Sequence, residues 1–182
     1  MQTPSLEIRP VTGGDAEVLA RLHTESWRRA YRGILRDEYL DGDIFAERQA
    51  LRRSRLQCPR HDQFGLLALS GTTAVGFAFA VPGADERWGT LLDNLHVLPY
   101  QRGGKIGTRL LHALTGHVIT HHPGEGLFLW VYELNTRTRA YYERLGARKI
   151  ERAEITAPGG GTIAEWLYAW PDIDVLHVAT CV

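Results

Sequence analysis

Arg102, Gly103, Gly104 and Lys105 stand between an apolar run that breaks at Pro99 and a run that opens with Ile106 and continues through Leu110 and Leu111. This order reads as strand, turn and helix start. Two adjacent glycines let a bulky anion approach the main chain. The free N–H groups at the positive end of the helix dipole, with Arg102 and Lys105 beside them, suit a phosphate or pyrophosphate. The two common nucleotide signatures are not met: Ile106 follows Lys105 where a hydroxyl residue would hold Mg²⁺, and no Gly-x-Gly-x-x-Gly occurs. An NTPase or dinucleotide dehydrogenase is disfavoured, and an ordinary helix N-terminus with a glycine turn is the competing reading.

Other reactive side chains are less suggestive. His117 and His121 are four apart on one helical pattern, with His122 adjacent, but no third ligand accompanies them. They read more simply as polar residues near a helix C-terminus, and no metal is expected. Cys58 and Cys181 lack metal spacing and make no disulfide scaffold, and neither is placed to carry an acyl intermediate. No Ser-His-Asp arrangement is recognisable.

These residues must be positioned by a chain of 182 residues, 44% hydrophobic and 23% charged, which fits one α/β domain over residues 1–182. Its 21 basic and 21 acidic side chains cancel, which argues against the broad positive field that nucleic-acid binding needs. The opening MQTPSLEIRP has no basic segment followed by an apolar core, and no run of about 18 apolar residues occurs. A soluble, cytoplasmic protein with no membrane partner is expected.

Alternation at Leu6, Ile8 and Pro10 predicts a short first strand, and Gly13-Gly14-Asp15 a turn and helix cap. Val18, Leu19, Leu22, Ser26 and Trp27 predict a helix to about Tyr31, stopped by Gly33, and Asp37 a second helix running to Leu51. Phe64–Leu69 and Ala74–Val81 read as a hairpin about Gly71-Thr72-Thr73, ended by Pro82-Gly83. Trp88–Leu98 is apolar on both faces and reads as the central strand. Ile106, Leu110, Leu114 and Val118 form the buried stripe of a third helix ending before Pro123. Leu127–Val131 is a strand, Asn135–Leu145 a short helix closed by Gly146, and Arg148–Ile155 and Thr162–Trp170 are the last strands. From Pro171 the sequence reads as a tail.

Two stretches together resemble the GNAT superfamily, the acyl-coenzyme A dependent N-acyltransferases. Arg102, Ile106, Gly107, Leu110 and Leu111 match its first motif, with Lys105 where the middle glycine is usual; Asn135, Tyr141, Tyr142, Leu145, Gly146 and Ala147 match its second. The opening, from Ile8-Arg9-Pro10 to Tyr31-Arg32-Gly33, is also similar to many members. The resemblance extends from about Leu6 to Trp170. It implies a twisted mixed sheet of six or seven strands with about four helices, in which the parallel strands Trp88–Leu98 and Leu127–Val131 splay apart.

It also implies a function. Acetyl-CoA would be the co-substrate and a primary amine the acceptor, with direct transfer in a ternary complex. Arg102, Gly103, Gly104, Lys105, Ile106, Gly107 and Thr108 would hold the pyrophosphate. The strand edge at Leu95, His96 and Val97 would take the pantetheine arm, with Asn135 and Tyr141 opposite. Tyr142 would be the acid that protonates the departing thiolate, and Asp93, an ion in an apolar strand, the base. His96, Glu25, Glu38 or water are alternatives for the base, His96 lying on the other strand face unless a bulge changes the parity. Trp27, Tyr31 and Tyr39, with Asp37 and Glu38, would face the Pro158–Gly161 loop and bind a cationic amine. Homodimers are frequent in the family, so a second copy is a candidate partner. A non-catalytic acyl-CoA binding or sensing module with the same fold is the alternative reading.

Overall fold

The computed structural model describes residues 5–57, 63–98, 100 and 104–182. Strand β1 (Leu6–Pro10) leads through a 3-10 turn (Gly13–Asp15) into α1 (Ala16–Ala30), α2 (Asp37–Asp41) and α3 (Ile44–Gln57). The chain continues with β2 (Phe64–Ser70), β3 (Thr73–Asp85), β4 (Gly89–Val97), α4 (Ile106–His121), β5 (Leu127–Tyr132) and α5 (Thr136–Arg144), and closes with β6 (Arg148–Thr156), β7 (Thr162–Trp170) and α6 (Ile173–Ala179). One seven-stranded sheet has the order β1-β2-β3-β4-β5-β7-β6. Every neighbouring pair is antiparallel except β4 and β5, which α4 joins as a crossover.

The predicted apolar stripes cover the two faces of this sheet. Leu110, Leu111, Leu114 and Val118 of α4 are fully buried against Ala78, Ala80, Leu92, Leu127 and Leu129. Each such side chain contributes about 1.5–3 kcal/mol relative to exposure. On the opposite face Leu19 and Leu22 of α1 pack on Leu67, Phe77 and Phe79.

Three expectations change. The single helix from Asp37 to Leu51 is two helices: Gly42 is extended (φ −73°, ψ −165°), and Asp43 Oδ1 accepts the Ala46 N–H (3.1 Å), starting α3 afresh. Pro82-Gly83 does not end β3 but lies in an irregularity within it, before Asp85 pairs with Gly89. The residues after Pro171 are not a tail. Asp172 caps α6 through the Asp174 N–H (3.0 Å), and Ile173 and Leu176 bury themselves in the α4 core. The seven residues of α6 are too few to display a period. No helix among the described residues is long and apolar enough to cross a membrane.

Candidate active site

The site begins with a fault in strand pairing. On β3, Phe79 pairs with Asn94 and its neighbour Ala80 with Leu92, so Asp93 is an extra residue on β4. A bulge bends its strand and turns consecutive side chains to one side. Here Asp93 meets Arg55 and Asn94 meets Arg52, both from α3, while His96 Nδ1 is 3.0 Å from Ser26 Oγ of α1. Leu92, Leu95 and Val97 face the α4 core instead. The bulge therefore puts His96 on the same side as Asp93.

Beyond the bend the parallel pair parts. Strands β4 and β5 pair only at Thr90–Leu127 and Leu91–Phe128, whereas β5 stays paired with β7 along its whole length. The closed end is pinned: Glu125 Oε2 accepts from Gly83 N (3.0 Å) and Thr90 Oγ1 (2.5 Å), and Thr90 N donates to Gly126 O (3.0 Å). At the open end the two strands border a cleft of about 1230 Å³, whose wall includes Asp93, Leu95, His96, Val97, Leu129 and Val131. Strand pairing between β4 and β5 is confined to Thr90 and Leu91 among the described residues, which leaves the β4 edge at Leu95 and Val97 facing the cleft.

One wall is the start of α4. Lys105, Ile106, Gly107 and Thr108 line it, and the amides of this first turn have no intrahelical acceptor. Lys105 is the N-cap with φ 58°, the one left-handed non-glycine residue among those described. That conformation is the one the usual glycine allows, which explains both the motif and the strain that lysine brings here. Gly104 is exposed outside the cleft wall, and Arg102 and Gly103 lie outside the described residues.

The facing wall is α5. Asn135 lines the cleft and caps the helix, its Oδ1 accepting the Thr138 N–H at 3.4 Å. Tyr141 Oη is 3.2 Å from Thr108 Oγ1, tying α5 to α4. Tyr142, 6% exposed, sets its ring edge-on to Trp170 at 5.8 Å. Tyr142 is among the residues that line the cleft. Desolvation, then the neighbouring Tyr141 and Tyr31 hydroxyls, hold its pKa well above the usual phenol range.

The remaining wall comes from α1, α3 and β7. Trp27 and Tyr31 line the cleft, the rings edge-on at 5.3 Å, with Tyr132 5.1 Å beyond Tyr31. Tyr39 does not. Its hydroxyl donates to Glu47 Oε2 (2.9 Å), and its ring lies under Gly159, where a Cβ would come within 2.5 Å. Asp37 and Asp41 share the single guanidinium of Arg32, which offsets one of their two charges. Glu25 and Glu38 are also absent from the cleft wall. The Pro158–Gly161 loop does face this helical segment, but by packing on Tyr39 it closes that corner.

Several cleft residues were not anticipated: Arg48, Arg55, Ser26, Tyr132 and Glu165. Glu165 pairs across the sheet with Tyr132, and desolvation raises its pKa. Arg48, Arg52 and Arg55 recur at helical spacing and could have been read as one face of α3; that this face turns inward depends on the fold. His117 and His121 stack on one another at 4.1 Å, and no metal-holding group of three or more His, Cys, Asp or Glu exists among the described residues.

Comparison with known proteins agrees with this geometry. The chain is 27% identical over 145 residues to a probable N-acetyltransferase of Mycobacterium tuberculosis, an alignment covering 79% of this chain and 80% of the relative. The structure resembles the PaiA N-acetyltransferase of Thermoplasma acidophilum, solved with coenzyme A, at a TM-score of 0.64 and 26% identity, over 88% of this chain and 98% of that one. The fold is shared with NAA60 of Arabidopsis thaliana, solved with acetyl-CoA, at a TM-score of 0.66 and 17% identity, over 91% of this chain and 98% of that one. The profile of the Acetyltransferase (GNAT) family matches residues 21–147, more than half of the chain. A strand pair that opens after two residues, an anion-ready helix start and a desolvated tyrosine thus sit within the matched segment, and the chain belongs to the GNAT acetyltransferase family.

Proposed function

We propose that the protein moves the acetyl group of acetyl-CoA onto a primary amine by direct transfer, with both substrates in the cleft at once. The observation that supports this most is the opening between β4 and β5, with Tyr142 buried at its wall. Acetyl-CoA supplies an activated thioester. The first-turn amides of α4 and Lys105 are suited to its diphosphate, and the free edge at Leu95 and Val97, with Asn135 across the gap, to its amide-bearing arm.

The acceptor amine is protonated in water, with a pKa near ~10, and must lose a proton before it attacks. Two carboxylates line the cleft. Asp93 is engaged by Arg55, whereas Glu165 has no ion-pair partner among the described residues, and desolvation raises its pKa, which suits a base. We assign proton removal to Glu165 and the orientation of Arg55 to Asp93. As the C–S bond breaks, the Tyr142 Oη proton passes to the departing sulfur. Desolvation raises the pKa of both phenol and thiol, so the transfer is not penalised by the phenol's burial alone. Among the described residues no cysteine lines the cleft: Cys181 lies outside it, and Cys58 falls outside the described residues.

The test is thiol release from acetyl-CoA over a panel of amines, with acetyl-CoA binding measured alongside. Release with at least one class of amine is expected. Binding with no release for any acceptor would sink the transferase and leave an acyl-CoA sensor.

A further inference from the structure

Three arginines of α3, Arg48, Arg52 and Arg55, lie on one face of that helix; Arg48 and Arg55 line the cleft, and Arg52 is buried behind them. Arg52 is fully buried, stacked over Phe77 (4.9 Å) and Phe79 (4.7 Å). Its Nη2 reaches His23 Nδ1 (3.0 Å) and Asn94 Oδ1 (2.6 Å), both neutral acceptors, and its Nε and Nη1 have no partner. Arg48, 12% exposed in its side chain, lies 4.6 Å over Trp27; it contacts Glu47 on the outside, and its buried Nε is unpartnered. Arg55 is paired with Asp93.

The charges do not balance. Three guanidinium groups share two carboxylates, Asp93 and Glu47, and the innermost one has none. An uncompensated charge in a dry interior is costly, and an anion held in the cleft by Arg48 and Arg55 would bring negative charge towards it. Mutual repulsion has a visible effect: burial and then the Arg55 charge pull the Arg52 pKa down to about 9. Arg48, Arg55, Tyr132 and Glu165 line the same cleft, and Glu165 is the strand neighbour of Tyr132. One chamber therefore presents guanidinium groups on its α3 wall and a carboxylate on its β7 wall. The diphosphate end of the cleft, at α4, lies across β4 from this cluster.

We infer that the acceptor carries an anionic group, a carboxylate in the first instance, that Arg48 and Arg55 bind while its amine is directed to Glu165. This deepens the transferase reading and rests on it for the role of the amine. It replaces the cationic acceptor that the aromatic and acidic residues near Asp37 suggested, because Asp37 is engaged by Arg32 and neither Asp37 nor Glu38 lines the cleft. A polyamine would meet like charge at the α3 wall.

The test compares a straight-chain ω-amino carboxylate with its carboxamide, its phosphonate analogue and a diamine of equal length. Affinity is measured calorimetrically with coenzyme A present, and kcat/KM by thiol release. The carboxylate or the phosphonate should bind at least tenfold more tightly than the carboxamide and the diamine, and which of the two leads identifies the anion. Arg48→Gln should remove that preference, raising KM with little change in kcat, and Arg48→Lys should restore part of it. Circular dichroism and thermal melting confirm that the variants fold. Anion-selective binding without turnover would uphold the anion site while refuting the transferase. Equal affinity for carboxylate and carboxamide, no binding of either anion, or an unchanged preference in Arg48→Gln would overturn the inference.

Discussion

Asp93 and Asn94 are consecutive residues of a strand, yet both face α3, Asp93 on Arg55 and Asn94 on Arg52 with Oδ1 2.6 Å from Nη2. The bulge that permits this makes Asn94 the main hydrogen-bond acceptor of a buried cation. Asn94→Ala should lower the unfolding free energy by about 2 kcal/mol, since a hydrogen bond to a charged group is lost and the charge stays buried. Arg52→Met should be near neutral or stabilising, because charge and unmet donors leave together. Urea unfolding of both variants checks the asymmetry; a large loss in Arg52→Met would contradict it.

Tyr142→Phe should reduce kcat by about 10²-fold or more while the coenzyme A dissociation constant changes little, as general acids contribute on that scale. Because burial lifts the Tyr142 pKa above 10, the proton is present throughout the working range. The wild-type rate should therefore show no loss assignable to this group between pH 7 and about 10. Turnover unaffected by the substitution would remove Tyr142 from the chemistry.

Lys105 adopts φ 58° at the head of α4. A left-handed residue with a side chain costs about 1 kcal/mol or more. Lys105→Gly should raise stability by about 0.5–1 kcal/mol, after allowing for the extra entropy that glycine loses, whereas Lys105→Ala should not. Both variants lack the ammonium group, so both should weaken coenzyme A binding to a similar degree, and less so at high salt. Thermal melts and calorimetry at two ionic strengths separate backbone from charge.

Asp15 accepts two hydrogen bonds from Arg9 (2.8 and 2.9 Å) and one from the Thr12 N–H (2.7 Å), and the Arg9 bonds above all lower its pKa to about 2. A carboxylate depressed from 3.8 to about 2 stabilises the fold by about 2 kcal/mol. The sign follows from the direction: this contribution is complete above the unfolded value, declines as pH falls from about 3.8 to about 2, and is gone below. Asp15→Asn should flatten that part of the acid limb in urea titrations between pH 5 and 2.

Much of the fold was legible because its boundaries are chemical. Leu6–Pro10, Thr162–Trp170 and the start of α4 end at proline, glycine or a change of period, and the structure reproduces them. The pairing fault at Asp93 was not legible, since nothing in Asp-Asn marks a bulge that is fixed by the register of β3. Tyr141 and Tyr142 illustrate the same limit. Adjacent helical residues point about 100° apart. Only the neighbours, Thr108 for one and Trp170 for the other, determine which ring ties α5 to α4 and which packs against the core. The α3 arginines could be counted in advance, but their lack of counter-ions could not.

The pinned junction of β4 and β5 lies at the far end from the reacting groups. A methyl group added to Gly89 would come within 2.8 Å of Gly126 O, and Glu125 clasps both Gly83 and Thr90. With the pairing fixed at that end alone, any rotation of β4 against β5 there would be magnified at the mouth. Glu125→Ala should therefore widen or slacken the aperture without touching any ligand, seen as faster amide exchange at Leu91 and Phe128. Unchanged exchange would show that the aperture is set elsewhere.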